Sequence, residues 1–328
     1  MRRIGLILGV LALALGAVGW WITSKQPTSR PAPPITTPGT DNLSGAASNF
    51  FKRANRSQWV EGTPQWPQSP FQPEGRTLVD ATVEERMTFN ENLQAQPAGA
   101  LLDLWLIEAR DKQDALRLDF IADALSEQLR KQDGQAADVV SSIVQYIKDK
   151  NQDDFLRWRL VETLGDAATS GTLAVLLDLA RSAEAYPDLR PIVLHQIARV
   201  GDILWDERFH EELSPLLERA RTEAAADEPL VTALSIALAK VGAPTSIEVL
   251  VKDVLRGGLT IPEFEQRNDM MAWAAYNALE RVRNERSVPV LERALMEGQP
   301  GGMDMVASGW ALAHMGQPEA TKVLLDWA

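Results

Sequence analysis

The sequence predicts an all-α fold, a solenoid of stacked antiparallel helix pairs over residues 80–328, preceded by one N-terminal transmembrane helix and a Pro-rich linker. Three observations lead there. From residue 80 onward, apolar residues recur at i, i+3 and i+4 almost without interruption. No run of β-branched residues at period two is long enough for a strand. A short pattern returns five times in the second half of the chain, which is the mark of a repeat architecture.

The first element is the apolar one. Met1-Arg2-Arg3 precedes an uncharged stretch, Ile4 to Ile22, which as a helix would rise about 28 Å, close to a bilayer's hydrocarbon thickness. Trp20 and Trp21 stand at its far end, where indole rings favour the headgroup boundary. Arg2, Arg3 and the amino terminus outweigh Lys25 and Arg30, so the charge bias places the N-terminus in the cytoplasm and the remainder outside. The competing reading is a cleaved signal peptide, with Ala17-Val18-Gly19 as its cleavage site. The length of the run and its two Trp favour an uncleaved anchor over residues 1–25. Either way, the bulk of the chain is exported. The expectation is a single-pass protein of the bacterial inner membrane with its body in the periplasm.

Composition narrows the chemistry. The chain has no cysteine, which removes disulfides, thiol nucleophiles and Cys-ligated metals. Its net charge is −12, and residues 1–25 hold Arg2, Arg3 and Lys25 with no acid, so the exported part carries −15. A nucleic-acid ligand needs a basic footprint that this body lacks. Basic or neutral protein surfaces are the better partners.

Residues 26–79 form the linker. Pro27, Pro31, Pro33, Pro34 and Pro38 forbid a helix at its start. Between Asn49 and Gly75 stand Phe50, Phe51, Trp59, Trp66 and Phe71 among four prolines. These aromatics either pack in cis on the first helices or dock in trans on a partner.

The helical body opens at Thr82-Val-Glu-Glu85, a capping-box start. Helical spacing then recurs in 98–109, 113–130 and 136–148, and about fourteen helices follow from the breaks. LVETLGDAAT, QIARVGDILW, ALAKVGAPTS, ALERVRNERS and ALAHMGQPEA align on Gly165, Gly201, Gly242, Arg283 and Gly316, at spacings of 36, 41, 41 and 33. Glycine in this column predicts a left-handed turn at each helix end. One residue before it come Leu164, Val200, Val241, Val282 and Met315, and three further back Val161, Ile197, Leu238, Leu279 and Leu312. The two rows make one core-facing stripe.

ALAKVGAPTSIEVLVKDVL and ALAHMGQPEATKVLLDWA resemble HEAT repeats, in particular the short bacterial kind related to the phycobilisome-lyase repeats. The resemblance covers residues 155–328 and extends toward residue 100 through degenerate units. It implies a right-handed α-solenoid that binds other macromolecules, and for some relatives a lyase- or chaperone-like activity.

Two rows vary between units. Six residues before the anchor stand Arg159, His195, Ile236, Asn277 and Trp310; two before it stand Thr163, Arg199, Lys240, Arg281 and His314. Arg159, His195, Asn277, Trp310, Arg199, Lys240, Arg281 and His314, with Trp273, are therefore the candidate partner-binding residues, free of structural duty. Aromatic and Arg side chains dominate binding hot spots, although either Trp could instead cap a repeat junction. The last repeat ends at Trp327-Ala328 without a polar cap, which points to self-association or a partner there.

No catalytic, cofactor or metal residues emerge. H-E-x-x-H, P-loop and G-x-S-x-G patterns are missing. Asp149-Lys-Asn151-Gln-Asp153 begins like a calcium loop, but Asp154 and Leu160 stand where Gly and Glu are needed, so it reads as a turn with an Asp cap. His210-Glu211-Glu212 and the acids Asp103, Glu108, Asp111 and Asp114 read as solvated helix faces. The functional expectation is a non-enzymatic scaffold, recruiting protein partners in an envelope assembly.

Overall fold

The computed structural model describes residues 78–328, apart from 112–114, 132–134, 204–206 and the side chains of 110–115 and 203–210. The expected anchor at 4–22 and the aromatic linker lie outside the described residues. Among those described there are fifteen α-helices and no strand, with one isolated antiparallel bridge between Thr260 and Gly302. No described helix is long and apolar enough to cross a membrane.

The helices are α1 (Val83–Gln94), α2 (Ala98–Asp111), α3 (Ala115–Arg130), α4 (Ala136–Lys148), α5 (Asp154–Ala167), α6 (Ser170–Arg181), α7 (Arg190–Ile203) and α8 (Glu207–Glu223). They continue as α9 (Glu228–Val241), α10 (Pro244–Gly257), α11 (Ile261–Arg267), α12 (Met270–Leu279), α13 (Val288–Glu297), α14 (Met303–Met315) and α15 (Pro318–Trp327). The capping box forms as predicted, with Thr82 and Glu85 exchanging side-chain-to-backbone bonds at the start of α1. Fifteen compares with the roughly fourteen that the sequence breaks predict, and α11 is the shortest of them.

Short connections fold successive helices back on one another, and two layers result. In the first, α1, α3, α5, α7, α9, α12 and α14 lie side by side, each packed on the next. In the second, α2 packs on α4, α4 on α6, α6 on α8, α10 on α13 and α13 on α15. This is a helical repeat-like bundle, compatible with an α-solenoid.

The core runs between the layers. All ten residues of the predicted stripe are buried, and none is more than 5% exposed. Each such aliphatic side chain contributes roughly 1.5–3 kcal/mol by leaving water.

The glycine column behaves differently from expectation. Gly242 (φ +65°) and Gly316 (φ +67°) do take the left-handed conformation. Gly165 and Gly201 instead lie inside α5 and α7, and the left-handed residue ending α5 is Ala168. What Gly165 and Gly201 provide is closeness. A Cβ on Gly165 would stand 2.4 Å from Gln196 Oε1, and one on Gly201 would stand 2.3 Å from Lys240 Cβ. Gly242 combines both roles, since its Cβ would meet Asn284 Cβ at 2.4 Å.

Polar side chains add a second tie between units. Helix ends leave carbonyls without intrahelical partners, and neighbouring units supply them here. Ser126 donates to Thr163 O (3.0 Å), and Arg130 donates to Asp166 O (2.6 Å). Asn284 donates to Val241 O (3.0 Å), Ser287 to Gly242 O (2.9 Å) and Gln317 to Arg283 O (2.5 Å).

Candidate partner-binding face

The two variable rows lie on the first-layer helices α5, α7, α9, α12 and α14, rotated away from the buried stripe. Three of their cations do carry structural duty, contrary to expectation. Arg159 pairs with Asp119 of α3, Arg199 with Asp166 of α5 at 3.5 Å, and Lys240 with Asp202 of α7 at 2.5 Å. Each cation thus reaches an acid on the preceding first-layer helix. In the last two cases that acid directly follows the anchor glycine. Such partly exposed pairs contribute about 0.2–1 kcal/mol each. Ala243 occupies the matching place before Arg281, so the ladder stops, and Arg281 stands exposed. Thr163, in the same row, is buried and donates to Arg159 O at 2.9 Å.

His195, Asn277 and His314 are exposed and Trp310 is half-buried. His314 stacks on Trp310, with ring centroids 5.2 Å apart, and its Nδ1 lies 2.8 Å from Trp310 O. Trp273 is engaged elsewhere. Its ring packs edge-on against Phe264 at 4.7 Å and against Tyr276 at 6.0 Å, fastening α11 to α12, and its Nε1 is buried without a partner. Both predicted aromatic anchors are half-buried: Trp273 packs in the junction of α11 and α12, while Trp310 stacks on the exposed His314.

Two aromatics escaped the sequence reading. Phe155 and Trp158, in the first turns of α5, are 50% and 45% exposed and lie beside Arg159 in sequence. The signal was available. Leu156, Leu160, Val161 and Leu164 define the buried side of α5, and neither aromatic belongs to that set. Large aromatics standing off a helix's core stripe are the informative exception.

A cleft of about 500 Å³ also opens between α8 and α10, lined among others by Pro215, Arg219, Leu238, Val249, Arg256 and Met271. Arg221 lies at its edge, 3% exposed, donating through Nε to Ser235 Oγ (2.6 Å) and through Nη2 to Met271 O (3.1 Å), while Nη1 pairs with Asp253. This buried ion pair joins α8 and α9 to α10 and α12.

The remaining acids have local roles. Asp149 accepts from Asn151 N (3.0 Å) and from Gln152 Nε2 (2.6 Å), and the backbone bond first, then the side-chain one, holds its carboxyl below the ordinary value. Asp153 caps α5 through Phe155 N, so this stretch is the predicted inter-helix turn. Glu108 pairs with Arg117 at 2.7 Å and Asp103 is half-buried, so neither is simply solvated. The side chains of Asp111, Asp114 and His210 lie outside the described residues. No protein-family model and no curated protein matches this chain.

Proposed function

We propose that the protein is a non-enzymatic scaffold of the HEAT-like, right-handed solenoid type. In this reading residues 4–22 anchor it in a bacterial inner membrane, and the helical stack recruits protein partners in the periplasm. The observation that carries the reading is the exposure of Phe155 and Trp158 beside Arg159 on the first-layer flank. Trp310 and His314 lie on the same flank further along. Aromatic and Arg groups grouped on a rigid lateral face suit the centre of a protein interface. Self-association through the last repeat is a further route, with Leu325 of α15 standing 73% exposed.

The test is photo-crosslinking in cells from positions 158 and 310. A defined protein trapped at either position, and lost in Phe155→Ser/Trp158→Ser, would support the reading. Capture of no protein from either position would overturn it. For the topology, a C-terminal alkaline phosphatase fusion should be active, and an inactive one would refute export.

A further inference from the structure

Among the described residues, nine large apolar side chains stand exposed, and three of them lie at the very start: Val79 (62%), Val83 (72%) and Met87 (58%). They follow one another at steps of four residues. Val83 and Met87 share one side of α1, while Phe89 and Leu93, about a third of a turn round the helix, are buried. Val79 is held to the same helix by Arg86, which donates through Nε to Leu78 O (3.0 Å) and through Nη2 to Val79 O (2.5 Å). Glu84 and Glu91 are also exposed on α1. The first helix thus offers an apolar stripe with acidic neighbours.

We propose that this stripe is covered in cis by the chain's own segment Phe50–Trp59, FFKRANRSQW. The segment carries what the stripe lacks: Phe50, Phe51 and Trp59 for the apolar contact, and Lys52, Arg53 and Arg56 for the glutamates. It has no acid of its own. Chain length permits the return. Residues 60–77 separate Trp59 from Leu78 and span up to about 60 Å when extended, whereas α1 is only about 18 Å long. Tethering so close raises the local concentration of the segment far above that of any partner in solution. The contact is separate from the flank of Phe155 and Trp158, so it stands or falls independently of the scaffold reading.

The absence of cysteine makes the test clean. In the full-length chain in detergent, Trp59→Cys/Met87→Cys should form an intrachain disulfide on mild oxidation, at a rate independent of protein concentration. Trp59→Cys/Leu325→Cys should stay reduced. A maleimide should label Met87→Cys about tenfold more slowly than it labels the same variant carrying Phe50→Ser, Phe51→Ser and Trp59→Ser. Equal labelling rates in the two chains would overturn the proposal. So would a disulfide that joins two chains, which would assign the stripe to a second copy. Because Met87 lies outside the buried core, these variants leave the packing of the helices intact.

Discussion

Gln196 and Gly165 share a space that holds only one side chain: the glutamine amide of α7 fills the place where a Cβ on α5 would project. Gly165→Ala and Gly201→Ala should each destabilise the protein by about 1–3 kcal/mol through overpacking. Gly201→Ala should be the costlier, because its neighbours include the backbone nitrogen of Val241 at 2.7 Å, which cannot rotate away. Gly316→Ala meets nothing within 4 Å and should cost only the backbone strain, about 1–2 kcal/mol. Urea-unfolding midpoints of the three variants check the order.

The same glutamine makes a second prediction. Gln196 is fully buried, and neither its Oε1 nor its Nε2 has a hydrogen-bond partner. Gln196→Met keeps the length and removes both stranded polar atoms, so it should raise stability by about 1–3 kcal/mol. A lower midpoint would show that the amide is satisfied in solution.

The buried guanidinium of Arg221 should be among the most sensitive positions. Arg221→Ala leaves the Asp253 carboxylate, only 16% exposed, with Arg256 at 3.7 Å as its remaining counter-charge, and strands Ser235 and Met271 O without their donor, at a cost of up to about 3–5 kcal/mol. Removing both charges in Arg221→Met/Asp253→Leu should recover most of that loss. If the double variant were as unstable as the single one, packing rather than charge would be the cause.

Three carboxyls, Asp103, Asp123 and Asp166, are held above their ordinary value and act on the pH dependence against the lowered Asp149. Burial holds Asp103 above the ordinary 3.8. Asp166 is raised as well, by burial first, with Arg199 opposing and Glu162 adding. A raised native pKa means that the folded state holds the proton more tightly than the unfolded one. The resulting stabilisation is complete below about pH 3.8 and is lost as pH rises through the native value. Asp103→Asn and Asp166→Asn, which cannot ionise, should therefore raise stability at pH 7 by up to about 1 kcal/mol each, given their solvent access. The gain should shrink toward pH 4, as unfolding curves at the two pH values would show.

The tryptophans should separate binding from folding. Trp158→Ser removes an exposed ring and should shift stability by no more than about 0.5 kcal/mol. Trp105→Ala empties a fully buried site and should cost about 3–5 kcal/mol. Trp273→Ser breaks the cluster with Phe264 and Tyr276 and should fall between them.

These contrasts show which parts of the molecule could be read from its sequence. The stripe from Val161 to Met315 repeats because every unit buries the same two rows, so periodicity alone located the core. Gly165 and Gly201 align with the left-handed Gly242 and Gly316 but serve close helix approach instead. A residue's letter does not distinguish a helix end from a point where a second helix crosses closely. Arg159, Arg199 and Lys240 varied in a way that suggested freedom, yet their acids come from the preceding unit, and such a pairing across about forty residues has no local signature. Arg221 was invisible for the same reason, since its partners lie on three other helices. Phe155 and Trp158 are legible in the sequence, because both stand off the stripe that Leu156, Leu160, Val161 and Leu164 define.

Ser126, Asn284, Ser287 and Gln317 each lend a donor to a backbone carbonyl of an adjacent unit, so these units are tied to their neighbours through the main chain as well as through the core. Pulled from its two ends, such a chain yields in series. When one unit is drawn out, its neighbour's carbonyls lose their caps and that neighbour becomes the next to give way. Extension should therefore proceed by successive releases of one helix pair at a time, each recovered when the tension drops, as in a zip fastener opened from its end.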